Sequence, residues 1–310
     1  MSSPSDLELV GLILRDKTLF EDGPPFLVQG RSNRPTRTAA EADRECERVL
    51  RFIRKHVRAF PGLELISDKL LTCTDRDPCA SGACPRCQRA TQRWFSKRAA
   101  ELIDGLTGRG QCFKCISIIP TRQGTRNRKP SGITGNLMNA IGRLRRGFDA
   151  ADLAFVVGGL DFSFNEVEGD AGSGKLSIHF WGLGLEPEVS AGRAKLKTAF
   201  PAVEPNTPRP VKTPTFDGSI RAFSYAFKDN FQRRVTITTK RRATGAPTSN
   251  TRDRPMRVHQ KARHWVLLND LGLLGRMVLR GVEISVTSDG VRLVRSDPAP
   301  MDGRPDQTVT

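Results

Sequence analysis

Residues 153–185 read LAFVVGGLDFSFNEVEGDAGSGKLSIHFWGLGL. Two apolar runs, 153–166 and 176–185, flank the turn-forming segment GDAGSGK, which predicts two consecutive strands. Side chains alternate between the faces of a strand. His179 and Trp181 therefore share one face, and Ile178 and Phe180 the other. On the first strand Asp161, Ser163 and Asn165 share a face, and Glu166 follows at the strand end, where a loop could redirect it. A lone histidine on an apolar strand is more often packed than catalytic, so the rest of the chain decides what His179 does.

Working outward, CFKCISIIPT (112–121) reads as a strand. ITGNLMNAIGRLRRGF (133–148) reads as a helix with Ile133, Leu137, Ile141, Leu144 and Phe148 on one face. SAGRAKLKTAF (190–200) is a short helix, SIRAFSYAF (219–227) a strand or a helix start, and FQRRVTITTK (231–240) a further strand. The order β-α-β-β-α-β predicts an α+β fold, a ferredoxin-like split βαβ antiparallel sheet with helices on one face and the other face free for ligands.

Upstream, AEADRECERVLRFIRKHVRAF (40–60) has helical spacing of Val49, Phe52, Ile53, Val57 and Phe60, and LELISDKLLTC (63–73) is strand-like. Cys73, Cys79, Cys84 and Cys87 then form a C-x5-C-x4-C-x2-C cluster running into a basic helix. Two thiolates two residues apart reach one ion while turn amides support the sulfurs. This knuckle predicts a closed, structural Zn²⁺ site with four sulfur ligands. Cys46, Cys112 and Cys115 read as core thiols. Downstream, KRRATGAPTSNTRDR (240–254) reads as a linker, HQKARHWVLLNDLGLLGRMVLRG (259–281) as helical, and EISVTSDGVRLV (283–294) as a hairpin with Asp-Gly at its turn. His259 and His264 are expected at the surface or on phosphates rather than on a metal.

The chain of 310 residues carries 50 Lys and Arg against 33 Asp and Glu, a formal net charge of +17. That balance predicts an anionic polymer as partner, most simply nucleic acid. Ten Lys or Arg and one acid lie between Arg233 and Arg263. Arg233, Arg234, Lys240, Arg241 and Arg242, with Arg122, Arg126, Arg128 and Lys129 after the first strand, are expected to line a path for phosphates. No apolar run approaches the length of a membrane span, and the amino terminus lacks a signal-peptide pattern, so the expected location is the cytoplasm without a membrane partner.

Four pieces, in order, carry a resemblance over roughly residues 70–245: CASGACPRCQRATQRWF (79–95), CISIIPT (115–121), SIHFWG (177–182) and SYAFK (224–228). With them the chain resembles the rolling-circle replication initiators of bacterial plasmids and filamentous phages. These belong to the HUH endonuclease superfamily, named for a histidine-hydrophobic-histidine strand. The resemblance implies an enzyme that nicks and rejoins one DNA strand at an origin. Tyr225, the only tyrosine, would be the nucleophile, and Lys228, one helical turn on, would position the phosphate or help activate the phenol. It also implies Mg²⁺ or Mn²⁺ held by His179 with Asp161 or Glu166. The pattern departs at Trp181, which stands where the family carries a second ligand and cannot bind a metal.

On this reading the chain divides into an extension (1–45), a helix and zinc-knuckle region (46–105), an HUH-like nuclease domain (106–245), a basic linker with a helical and hairpin DNA-binding or lid region (246–297) and a disordered tail (298–310). The partner would be single-stranded DNA or an origin duplex. No P-loop pattern is present, so replication would need a host helicase. A related single-tyrosine transposase or relaxase shares the chemistry. A DNA-binding regulator that keeps the fold without cleavage is the alternative of a different class.

Overall fold

The computed structural model describes residues 5–22, 38–120, 131–168, 170–202, 209–219, 227, 232–240 and 247–296. The amino-terminal part is helical: α1 (Asp6–Leu14), α2 (Ala39–His56), α3 (Glu64–Thr72) and α4 (Pro85–Thr107). Capping boxes start α1 at Ser5 and α2 at Thr38, each satisfying two otherwise orphaned groups. LELISDKLLT is thus a helix and not the expected strand. Its buried positions, Leu63, Ile66, Leu70 and Cys73, recur every three or four residues, which is the helical period.

Helix α4 is the hub of this half. Arg89, Thr91, Gln92, Arg93, Trp94, Phe95 and Ser96 are all buried. The Arg89 guanidinium donates to the carbonyls of Leu19, Phe20 and Glu21 at 3.2, 3.0 and 3.0 Å and pairs with Asp22 at 2.5 Å. Arg89, and Arg93 through the Thr18 carbonyl at 3.4 Å, therefore tie down the segment after α1 instead of facing an outside anion.

The sheet follows in the strands β1 (Phe113–Ile118), β2 (Val156–Val167), β3 (Asp170–Leu185), β4 (Val211–Lys212), β5 (Arg233–Lys240), β6 (Pro247–Arg254) and β7 (Met277–Arg280). Helix α5 (Ser131–Ala150) joins β1 to β2, and α6 (Glu186–Ala199) follows β3. The order is β4-β1-β3-β2-β5-β6, with β7 also paired to β2. The first four strands pair antiparallel, whereas β5 runs parallel to the end of β2. The result is a mixed α/β fold with a sheet that is antiparallel except at that junction. Phe148 of α5 packs edge-on against Phe180, with centroids 5.4 Å apart. Val189 of α6 fills the space beside Gly184. These contacts put α5 and α6 on the Phe180 face of β3, so by alternation His179 and Trp181 face the other way.

Three downstream expectations change. The short β4, inside a proline-rich stretch, and not 219–240, closes the sheet beside β1. The expected linker holds β6, which pairs with β5 from Arg233↔Arg254 to Lys240↔Pro247; its proline sits at the first position, where a strand tolerates it. The long helical stretch ends early. Helix α7 (Val258–Leu271) stops at Gly272, whose φ of 65° suits glycine, and MVLR becomes β7 beside β2. The expected hairpin is present as β8 (Val282–Thr287) and β9 (Gly290–Arg295), and Val291 accepts a 3.0 Å hydrogen bond from the Trp94 indole of α4. The carboxyl-terminal segment therefore packs into the core. The tail beyond residue 296 lies outside the described residues.

The cysteine loop is wedged against the end of α7. A Cβ on Gly82 would lie 2.0 Å from the Leu268 carbonyl oxygen and 2.7 Å from that of Gly272. Neither backbone can yield like a side chain. Gly82→Ala is expected to destabilise the protein by about 2 kcal/mol, read as a lower urea midpoint. An unchanged midpoint contradicts the wedge.

Candidate metal centre and histidine face

Local chain geometry builds the cysteine cluster. Helix α3 ends at Thr72, and Cys73 turns the chain out in an extended conformation. A tight turn follows, with Thr74 N–H bonded to Asp77 O and Asp77 N–H to the Thr74 hydroxyl. Ser81 accepts from the Ala83 amide through its hydroxyl and from the Cys84 amide through its carbonyl. Cys84 is the N-cap of α4, with Pro85 at the first helical position, where its missing N–H costs nothing. Cys87 falls in the first turn. Two sulfurs thus sit at the positive end of a buried helix, which favours thiolates.

The four sulfur atoms all lie within 4.8 Å of one another. Cys73 is 3.6 Å from Cys87 and 3.5 Å from Cys84, and Cys79 is 3.8 Å from Cys87. The Cys79 amide points at the Cys73 sulfur at 3.4 Å, and Arg86 braces the Cys73 carbonyl at 2.6 Å while pairing with Asp43. Hydrogen bonds from Cys79, Cys84 and Cys87 drive the Cys73 thiol well below its ordinary value. The Cys46 and Cys73 thiols push Cys84 well above, and Cys73 and Cys79 do the same to Cys87. Four crowded thiols conflict, with Cys73 and Cys79 held below their ordinary value and Cys84 and Cys87 above it; a divalent cation removes that conflict. The donor set fits zinc, which Cys73, Cys79, Cys84 and Cys87 would hold in a closed, structural site.

Cys46 of α2 is a further finding. It is buried and engages the Cys84 sulfur, a fifth thiol beside the cluster. No spacing rule could flag it, because α2 precedes the knuckle by a whole helix. Burial pushes the Cys115 thiol up to about 11, as suits a core residue. Cys112 is exposed, contrary to expectation.

On the histidine face, Asp161 stands directly opposite His179 in the β2–β3 ladder. Ser117 Oγ lies 2.8 Å from His179 Nε2, and the Trp181 indole donates to His179 Nδ1 at 3.2 Å. An indole nitrogen only donates. Nδ1 is therefore the acceptor, the proton sits on Nε2, and Ser117 receives it. That tautomer neither activates Ser117 as a nucleophile nor leaves a ring nitrogen for a metal. Phe227 lies over the same face, where a Cβ on Gly159 would come 2.7 Å from its ring. Asp161 is buried and accepts from the Phe162 amide at 2.9 Å.

Glu166 is not on that face. At 3% exposure, it accepts from Arg233 at 2.7 Å, from Arg257 at 3.2 Å through both nitrogens and from Gln260 at 2.6 Å. Burial alone would raise its pKa; the hydrogen bonds from Arg257, Arg233 and Gln260 outweigh burial and lower it. Among the described residues the cysteines form the one group able to hold a metal. Glu166 stands apart from His179 and Asp161, so among the described residues the expected ligand set for a catalytic Mg²⁺ or Mn²⁺ does not assemble.

Of the expected phosphate contacts, Arg233 is held by Glu166, and Arg234 lies 3.7 Å from Asp253. Lys240 ends β5. Tyr225, Lys228, Arg122, Arg126, Arg128, Lys129, Arg241 and Arg242 lie outside the described residues. His259 is exposed as expected, whereas His264 is fully buried, which pulls its pKa down to about 3 and keeps it neutral. No family model matches the chain, and no curated protein or solved structure matches it. Among the described residues no helix is long and apolar enough to cross a membrane.

Two outcomes follow. Cys87→Ser should remove the bound zinc, read by elemental analysis, and lower stability by about 4 kcal/mol or more; full zinc content in that variant contradicts a four-sulfur site. Glu166→Gln should cost about 3 kcal/mol at pH 7 by leaving two arginines without their counter-charge. Because the folded carboxyl titrates below its ordinary 4.5, its contribution is present above that pH and lost as pH falls through the folded value. Urea midpoints against pH should therefore converge for parent and variant at the acid end; parallel curves contradict the pairing.

Proposed function

We propose that the protein is a DNA-binding replication initiator of the rolling-circle type. What supports this is the connectivity β1-α5-β2-β3-α6-β4 with strand order β4-β1-β3-β2, the ferredoxin-like arrangement, carrying His179 and Asp161 side by side on the face away from α5 and α6. Phe227 packs on that face over Gly159, the ladder partner of Trp181. The +17 charge supplies the attraction for phosphates, and the cysteine cluster fastens the helical half to the end of α7.

In this reading Tyr225 attacks a phosphodiester phosphorus. A phosphotyrosyl bond forms, the strand's bridging P–O bond breaks, and the released sugar hydroxyl keeps the proton that the phenol gives up. The bond energy is conserved for rejoining. A cytoplasmic helicase would open the duplex ahead of the nick. The second reading is a DNA-binding module that does not cut. The Trp181–His179 hydrogen bond and the arginine pairing of Glu166 favour it, since both take up groups that cleavage would use.

Affinity for DNA should fall steeply with salt as neutralised phosphates release counterions. Nicking of supercoiled and single-stranded DNA by parent and Tyr225→Phe separates the readings. The initiator predicts a covalent DNA adduct in the parent that is lost in Tyr225→Phe, with binding nearly unchanged. Binding without nicking by either protein selects the module. Equal nicking by both rules out the tyrosine mechanism.

A further inference from the structure

We infer that the two-stranded ribbon of β5 and β6 is an arm that enters the major groove of duplex DNA. This rests on the DNA-binding reading above and adds the element that meets the DNA and the form of DNA it meets. Only residues 233–236 of β5 pair with β2. Beyond them, residues 237–240 pair with residues 247–250 and with no other strand among the described residues. At ~3.3 Å per residue this is about 13 Å of ribbon past its last pairing with β2, more than the roughly 8.5 Å depth of the major groove. Asn250, Thr251, Arg252, Asp253 and Arg254 are exposed one after another, so both faces of this edge strand are open. The feet of the arm are fixed at one buried carboxylate. Glu166 accepts from Arg233, which opens β5, at 2.7 Å and from Arg257, just past β6, at 3.2 Å. Arg233 also donates to the Pro255 carbonyl at 3.3 Å. The arm is thus set in direction before a ligand arrives, which reduces the ordering cost of binding.

The side chains suit that groove. A two-stranded ribbon fits its width of roughly 12 Å. By alternation Asn250, Arg252 and Arg254 share one face of β6. Asparagine reads adenine and arginine reads guanine along their major-groove edges, and arginine also meets phosphates. Asp253, the one acid of β6, lies 3.7 Å from Arg234 across the ribbon, so its charge is offset within the arm. A single strand offers no groove for such an arm to enter. Charges on an edge strand also deter pairing with other chains, but that role leaves DNA affinity untouched.

The test uses the full chain with a mixed-sequence duplex and with a single strand of equal length, over a series of salt concentrations. Arg252→Ala combined with Arg254→Ala should weaken duplex binding roughly 5-fold or more. It should also lower the slope of log affinity against log salt by about 2, the share of two lost phosphate contacts. Arg145→Ala combined with Arg146→Ala removes the same charge from exposed positions on α5 and should change both far less. A second duplex carries glucosylated hydroxymethyl groups at cytosine C5, where substituents project into the major groove. The parent should bind it about as weakly as the β6 variant binds the plain duplex. Unchanged duplex affinity in a folded β6 variant overturns the arm, as does an equal loss from the α5 change, since net charge then suffices. Equal affinity of the parent for the plain and the glucosylated duplex overturns it whether or not the β6 variant folds. A parent that binds only the single strand overturns the arm and leaves the DNA-binding reading standing. A parent that binds neither DNA overturns both.

Discussion

The ladder between β2 and β3 is the constraint from which the rest of the structure follows. It runs antiparallel from Val156↔Gly184 to Asn165↔Lys175, with a shift before Val167↔Asp170. Register in such a pair is all or nothing, since a slip by one residue exchanges the two faces. The buried Phe180, Ile178 and Phe162 on one side lock it, because a slip would expose them. The same lock sets His179 opposite Asp161, and puts Trp181 between a glycine and a serine. The chemistry of the His179 face is thus a by-product of packing on the other one.

The helical half obeys a different constraint. Helix α4 is buried along much of its length although it carries several polar and charged side chains. Burying them is costly unless each finds partners. Arg89 does so with three carbonyls and Asp22, and Gln88 donates to the Gly82 carbonyl in the cysteine loop. Order in α1, α4 and the knuckle is therefore shared: the helix needs the loop's carbonyls, and the loop needs the first turn of the helix for two of its four sulfurs.

The alternating and helical periods of 112–200 were legible because long apolar patterns dominate there, and the cysteine spacing was legible because chelation demands close sulfurs. Other features were hidden for identifiable reasons. Strand β4 is two residues long and shows no pattern of its own. Strand β6 is polar and pairs only at its edge with β5, so nothing apolar announces it. Strand β7 follows a helix through a glycine and shares its apolar character. At the site, Glu166 looked available because its partners, Arg257 and Gln260, are far off in sequence. The engagement of both imidazole nitrogens of His179 depends on side-chain directions that no residue spacing encodes.

The outer edge of β2 is covered piecewise. Strand β7 pairs with its beginning, from Val156↔Arg280 to Gly159↔Met277, and β5 with its end, from Phe164↔Arg233 to Val167↔Thr236. Between them the Leu160 amide bonds to the Arg276 carbonyl, and the Arg276 guanidinium returns a bond to the Leu160 carbonyl. During synthesis this edge is finished long before its covers exist. A nascent chain that has completed β3 presents an apolar strand with unpaired amides until the residues near 280 leave the ribosome. Such an edge is a template for pairing with other chains, and contacts this distant in sequence form slowly. The protein's yield in a cell is thereby tied to how well that one edge is shielded while the last segment is made.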